Sequence, residues 1–196
     1  MEIKADINYG KLKKLVEAMS DELSVKVGLL AKTPGEKGVK GSDEVSSDID
    51  IAGLGAVHEF GKSIQVTDKM RGFFRHQFRI NLKKTTTHIH IPPRSFLLMP
   101  LTKKEAVMNA LKTNLKEEGI AEDDILKYFT ETGDIKFLGD MLGTAAVSTV
   151  LEAFESGGDG QWAPDSALTI ANKGSSKPLM DKGNLRGAVA FEVEKK

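Results

Sequence analysis

"IKFLGDMLGTAAVSTVLEAFESGG", residues 135 to 158, decides how the chain must be layered. Leu138, Met141, Leu142 and Ala145 fall on one face of a helix with the 3.6-residue period, while Val147, Val150, Leu151 and Phe154 drift to the opposite face. A helix apolar on both sides needs cover on both sides. That cover is either other elements of the same chain or a neighbouring subunit, because monomers rarely leave large apolar surfaces in water. The Gly-Gly pair at 157 and 158 ends the helix.

The segments before it supply candidate layers. "KLKKLVEAMSDEL" places Leu12, Leu15, Val16 and Met19 at helical spacing, and "SVKVGLL" alternates Val25, Val27 and Leu29 as a strand. Residues 31 to 50 are Gly-, Ser- and charge-rich without period and read as a mobile loop. "IDIAGLGAVHEFG" is a short helix stopped by Gly61. "SIQV" and "TTTHIHI" are strands flanking a basic helical insertion, about residues 67 to 90, whose helix "DKMRGFFRHQF" starts near Asp68. "LTKKEAVMNALKTNLKEEG" and "AEDDILKYFTETGD" are two further helices. The terminal "VAFEVEKK" alternates Val189, Phe191 and Val193, and should return as a strand to the sheet. The expected class is α+β: an antiparallel sheet packed against helices, in a single domain over 1 to 196.

Composition removes several classes of function. The chain has 28 basic and 28 acidic residues, a formal net charge of zero, and no cysteine. Disulfides, thiolate nucleophiles and cysteine zinc sites are therefore excluded, and no global field favours nucleic acid or an anionic membrane. "MEIKADINYG" lacks an apolar signal core, and no run reads as a membrane span, so the expected place is a cytosol. One asymmetry is local. From Lys69 to Lys104 there is no acidic residue, while Lys69, Arg71, Arg75, Arg79, Lys83, Lys84, Arg94, Lys103 and Lys104 are basic.

The motifs for catalysis fail one by one. "HEFGK" has Lys62 where a zinc-protease helix needs its second histidine. His88 and His90 share one strand face at a spacing that can hold a metal, but no carboxylate adjoins them in sequence, and a solvated or packed pair is the simpler reading. "NKGSSKP" departs from the phosphate-loop pattern, with Pro178 where a helix should run on. "GLGAVHEFG" lacks the preceding strand that a dinucleotide fingerprint needs. The expectation is a protein without cofactor, metal or catalytic centre.

Three other stretches carry a resemblance. They are "GAVHEFG" at 55 to 61, "IPPRSFL" at 91 to 97, and "GDGQWAPDSALTIANKGSSKPLMDKGNLRGAV" at 158 to 189. In that order the chain resembles the phage virion morphogenesis family of tail-completion (neck) proteins, similar in plan to head-tail joining and minor tail proteins. The resemblance covers most of the chain from about residue 51; the basic insertion and the helix at 122 to 130 depart from it. It implies a non-enzymatic virion component at the neck, present in the host cytoplasm during assembly. It further implies a homo-oligomeric ring, hexameric to match tail symmetry, between the head connector or stopper and the tail terminator or tube, with basic residues that could meet phage DNA in the lumen.

Physical readings stand beside that likeness. Pro92 and Pro93 stiffen the support of Arg94 and Phe96, which serves either a core turn or a docking edge. Trp162 is a core or an interface anchor, and Ser166 caps a short helix that Gly174 ends. In "SSKPLMDKGNLRGAV", Leu179, Met180 and Leu185 dock, Asp181 caps, Gly183 and Asn184 turn, and Lys182 and Arg186 point outward. The candidate interface residues are Arg94, Phe96, Trp162, Leu185 and Arg186, with Val147, Val150 and Phe154 of the long helix. The alternative function is a nucleic-acid-binding or DNA-packaging accessory using the basic 69–104 block. A weaker third is a metal-dependent hydrolase on His88 and His90.

Overall fold

The computed structural model describes Gly10, residues 23–29 and residues 51–195. The helix expected around Leu12 to Met19 and the loop at 31 to 50 lie outside the described residues. In chain order the elements are β1 (Leu23–Leu29), α1 (Ile51–Phe60), β2 (Lys62–Gln65), α2 (Asp68–Phe78), β3 (His88–Ile91), α3 (Leu98–Thr102), α4 (Lys104–Glu117), α5 (Glu122–Thr132), α6 (Ile135–Ser156), α7 (Ala167–Lys173), α8 (Asn184–Gly187) and β4 (Val189–Lys195). The fold is α+β. Its strands form two antiparallel ribbons, β1–β4 and β2–β3, where one sheet was expected.

The long helix α6 is sandwiched within its own chain. On one side Leu138 and Ala145 join Leu111 and Leu115 of α4 and Ile125 of α5. On the other, Val150, Ala153 and Phe154 meet Phe96, Trp162, Leu185 and Val189. Both faces predicted from the sequence are thereby covered. At 22 residues α6 is also long and apolar enough to cross a membrane, contrary to the expectation that no run has that character. Half of its apolar window is buried by the two clusters, as in the core helix of a globular fold.

The first turns of α6 rest on the β1–β4 ribbon, and two glycines set that distance. The register pairs Val25 with Val193, Val27 with Phe191 and Leu29 with Val189. A Cβ on Gly143 would stand 2.1 Å from the Phe191 ring, and one on Gly139 would stand 2.6 Å from Val193. Glycine weakens a helix interior by about 1 kcal/mol relative to alanine, so these positions exchange helical stability for close approach.

Caps explain most element ends. Asp134 accepts from the backbone N–H groups of Lys136 and Phe137 at the start of α6, Thr67 accepts from Met70 at α2, and Ser166 accepts from Thr169 at α7. Gly61 has φ 71°, and a Cβ there would lie 2.9 Å from the Ile91 carbonyl oxygen and the Pro93 nitrogen. The continuous helix expected from Leu101 onward is instead broken at Lys103, into α3 and α4. Asp181 is not the cap of α8; Gly183, at φ 79°, occupies that position without a side-chain bond.

Gly143→Ala tests the close approach. Helix propensity alone predicts a gain of about 1 kcal/mol. Crowding against Phe191 should instead cost about 1–3 kcal/mol. Urea denaturation reads the sign, and a stabilised variant would mean that the ribbon has room to retreat.

Candidate functional site

The three stretches singled out above meet in one buried polar cluster. Arg94, 5% exposed, turns inward from its Pro-Pro support. Its Nε donates to the Ala163 carbonyl at 2.8 Å, its Nη2 donates to the Pro164 carbonyl at 3.1 Å, and Nη2 lies 2.9 Å from Asp165 Oδ1. The other oxygen of Asp165 is 2.6 Å from Lys173 Nζ, and both of these side chains are over nine-tenths buried. Lys173 also donates to the carbonyls of Lys177 and Met180, which ties the Pro178 elbow to α7. One carboxylate thus holds two cations, and the cations hold four carbonyls.

A second buried carboxylate, Glu59, holds the segment that follows Arg94. Glu59, 6% exposed, comes from α1 and receives the backbone N–H groups of Phe96 at 2.8 Å, Leu97 at 2.9 Å and Leu98 at 3.0 Å. It also accepts from the Ser95 hydroxyl, whose oxygen accepts from Met99 N–H. These are the orphan donors at the start of α3, so a side chain of one helix caps another. Beside it, the His58 carbonyl accepts Arg94 N–H at 2.7 Å. "HEF" and "PRSFL" are therefore locked along both backbone and side chains.

His58 sits against this cluster with its Nδ1 buried and without a hydrogen-bond partner among the described residues. Burial lowers its pKa below the ordinary histidine value of 6.5, and the nearby Arg94 charge lowers it further, while Asp165 pulls the other way. A protonated His58 would be a third cation sharing one anion.

The apolar candidates lie in the core. Phe96 and Val150 are 0% exposed, Phe154 is 1%, Leu185 is 6% and Trp162 is 8%. Phe154 stands between Phe96 and Trp162, at ring distances of 5.3 and 5.8 Å, and the Trp162 indole N–H donates to the Ser95 carbonyl. These five and Arg94 hold the chain's own interior. Val147 is half-buried, and Arg186 keeps surface, with Nη2 3.6 Å from Glu155 Oε1.

The basic block divides by role. Arg71 donates to the carbonyls of Leu82, Lys83, Lys84 and Thr86, closing the loop that returns from α2 to β3. Lys103 pairs with Asp159, at one end of an open groove of about 520 Å³ between α4 and α6. Lys69, Arg75, Arg79, Lys83 and Lys84 remain exposed. His88 and His90 stack face to face at 6.2 Å on the outer side of β3. No group of three or more histidines and carboxylates placed to hold a metal occurs among the described residues. Sequence reasoning singled out Arg94, as an interface residue, but missed Glu59 and the buried partners Asp165 and Lys173; the one available signal was that their segments all lie in the motif stretches.

Compared with known proteins, the chain matches no family model, no curated protein sequence and no solved structure.

The cluster generates two predictions. Asp165→Asn leaves two buried cations without an anion and should cost about 3–5 kcal/mol, whereas Lys173→Met leaves the Arg94–Asp165 pair balanced and should cost less. Equal losses in urea denaturation would contradict the shared-anion account. For His58 the native pKa is depressed, so the unfolded chain binds the proton first. Stability should be full above the ordinary value of 6.5 and should fall as pH drops toward the lowered native value. Melts between about pH 7.5 and 5.5 should show this loss, and His58→Gln should flatten it.

Proposed function

We propose that the chain is a structural component of a tailed-phage virion, completing the tail or joining it to the head connector as a homo-oligomeric ring. The observation that carries the reading is the convergence of "HEFG", "IPPRSFL" and "QWAPDSALTIANKGSSKPLM" on one buried cluster. These are residues on which the resemblance rests, and they meet in space although up to 122 positions separate them, from 58 to 180. Their polar groups are spent on carbonyls, N–H groups and each other, which is the work of a scaffold holding irregular backbone rigid. A ring component needs that rigidity, since small angular errors accumulate around a closed assembly.

A second reading, a nucleic-acid-binding or DNA-packaging accessory, draws support from the exposed cations of residues 69–84.

Deletion of the coding sequence from the phage or prophage that carries it separates these readings. A neck component predicts filled heads and free tails in electron micrographs, with infectious titre restored by the chain supplied in trans. A packaging accessory predicts empty heads. Wild-type titre after deletion would overturn both.

A further inference from the structure

Residues 62–91 form an arm chemically unlike the rest of the chain. It comprises the β2–β3 ribbon and α2, and six of its cations are exposed: Lys62, Lys69, Arg75, Arg79, Lys83 and Lys84. Asp68 is its single carboxylate. No residue from 61 to 93 is fully buried. Three of the arm's aromatic side chains pack on one another, with Phe73 and Phe78 ring centroids 5.6 Å apart and Phe74 and Phe78 5.7 Å apart. Phe73 nevertheless stays 47% exposed, and Phe60, where the arm begins, 69%. Exposed aromatics among arginines are the composition of protein interfaces.

The balancing charge is carried elsewhere on the same chain. Glu117, Glu118, Asp123, Asp124 and Glu131 are exposed along the end of α4, the following turn and α5. Between residues 117 and 131 Lys127 is the single cation, and Tyr128 is 41% exposed among the carboxylates. A formal net charge of zero thus conceals two exposed segments of opposite charge.

We propose that the basic arm of one copy docks on the acidic α4–α5 corner of a second copy. The proposal rests on the ring reading above and names its contact surfaces. Joining two different patches leaves one of each free at every step, which is the heterologous geometry that closes rings. Duplex DNA is the other partner that cations attract. A second copy is favoured because the chain itself supplies nearly matching opposite charge, together with an exposed aromatic to meet Phe60 and Phe73, which a phosphate backbone lacks.

Charge reversal of the full-length purified chain, read by sedimentation velocity, tests the contact. Wild type should associate at about 50 mM salt and dissociate toward about 0.5 M, as exposed pairs are screened. Arg75→Glu with Lys84→Glu, and separately Glu117→Lys with Glu118→Lys, should each remain monomeric with an unchanged thermal melt. Mixing these two monomers should restore association, because each then carries the complement of the other. Should a reversed variant melt early, Arg75→Gln with Lys84→Gln should still weaken association at an unchanged melt. A monomeric wild type at low salt, an acidic-corner variant that associates normally, or a mixture that stays monomeric would overturn the proposal. So would an arm variant that loses retention of duplex DNA but assembles. None of these results bears on the deletion phenotype, so the docking surfaces and the virion role can fail separately.

Discussion

Asp165 is the constraint from which the irregular half of the molecule hangs. Its carboxylate lies between Arg94 and Lys173, and each of those cations reaches on to main-chain carbonyls of segments that have no ladder of their own. Buried ion pairs seldom add net stability over apolar packing, since desolvation offsets the Coulomb attraction. Their value here is geometric. Residues 157–166 and 174–183 contain neither helix nor strand, and apolar contacts alone would not fix their direction. Charged groups with few satisfying arrangements do fix it, and Glu59 performs the same service for the entry to α3.

That polar framework and the apolar core are one structure. Phe96 follows Ser95, which Glu59 holds, and Trp162 precedes the carbonyls that Arg94 holds. Both rings then close on Phe154 of α6. The long helix therefore takes its cover on one side from α4 and α5 and on the other from segments that the buried charges have set in place.

What was legible in the sequence was local. The two-sided pattern of α6, the stops at Gly61, Gly157 and Gly174, the cap at Ser166 and the alternation of β1 and β4 follow from periodicity and turn chemistry. What was hidden depends on contacts between distant residues. Arg94 reads as a candidate interface residue on a stiff support until Asp165 is brought to it across 71 positions. Glu59 reads as the middle of a motif until it caps a helix that begins 39 positions later. The break at Lys103 and the division of the strands into two ribbons were equally invisible, because each is decided by packing rather than by propensity.

The arm of residues 62–91 obeys a different economy from the body. Its shape comes from three clustered phenylalanines and the Arg71 clasp, and no side chain in it is sealed from water. Substitutions on its outer surface therefore place little load on the fold. Such a segment can change in charge and length while the buried cluster stays fixed, so under the docking proposed above a change of mate requires rewriting the arm alone. Partner choice would then evolve on a module whose failures are not failures of folding.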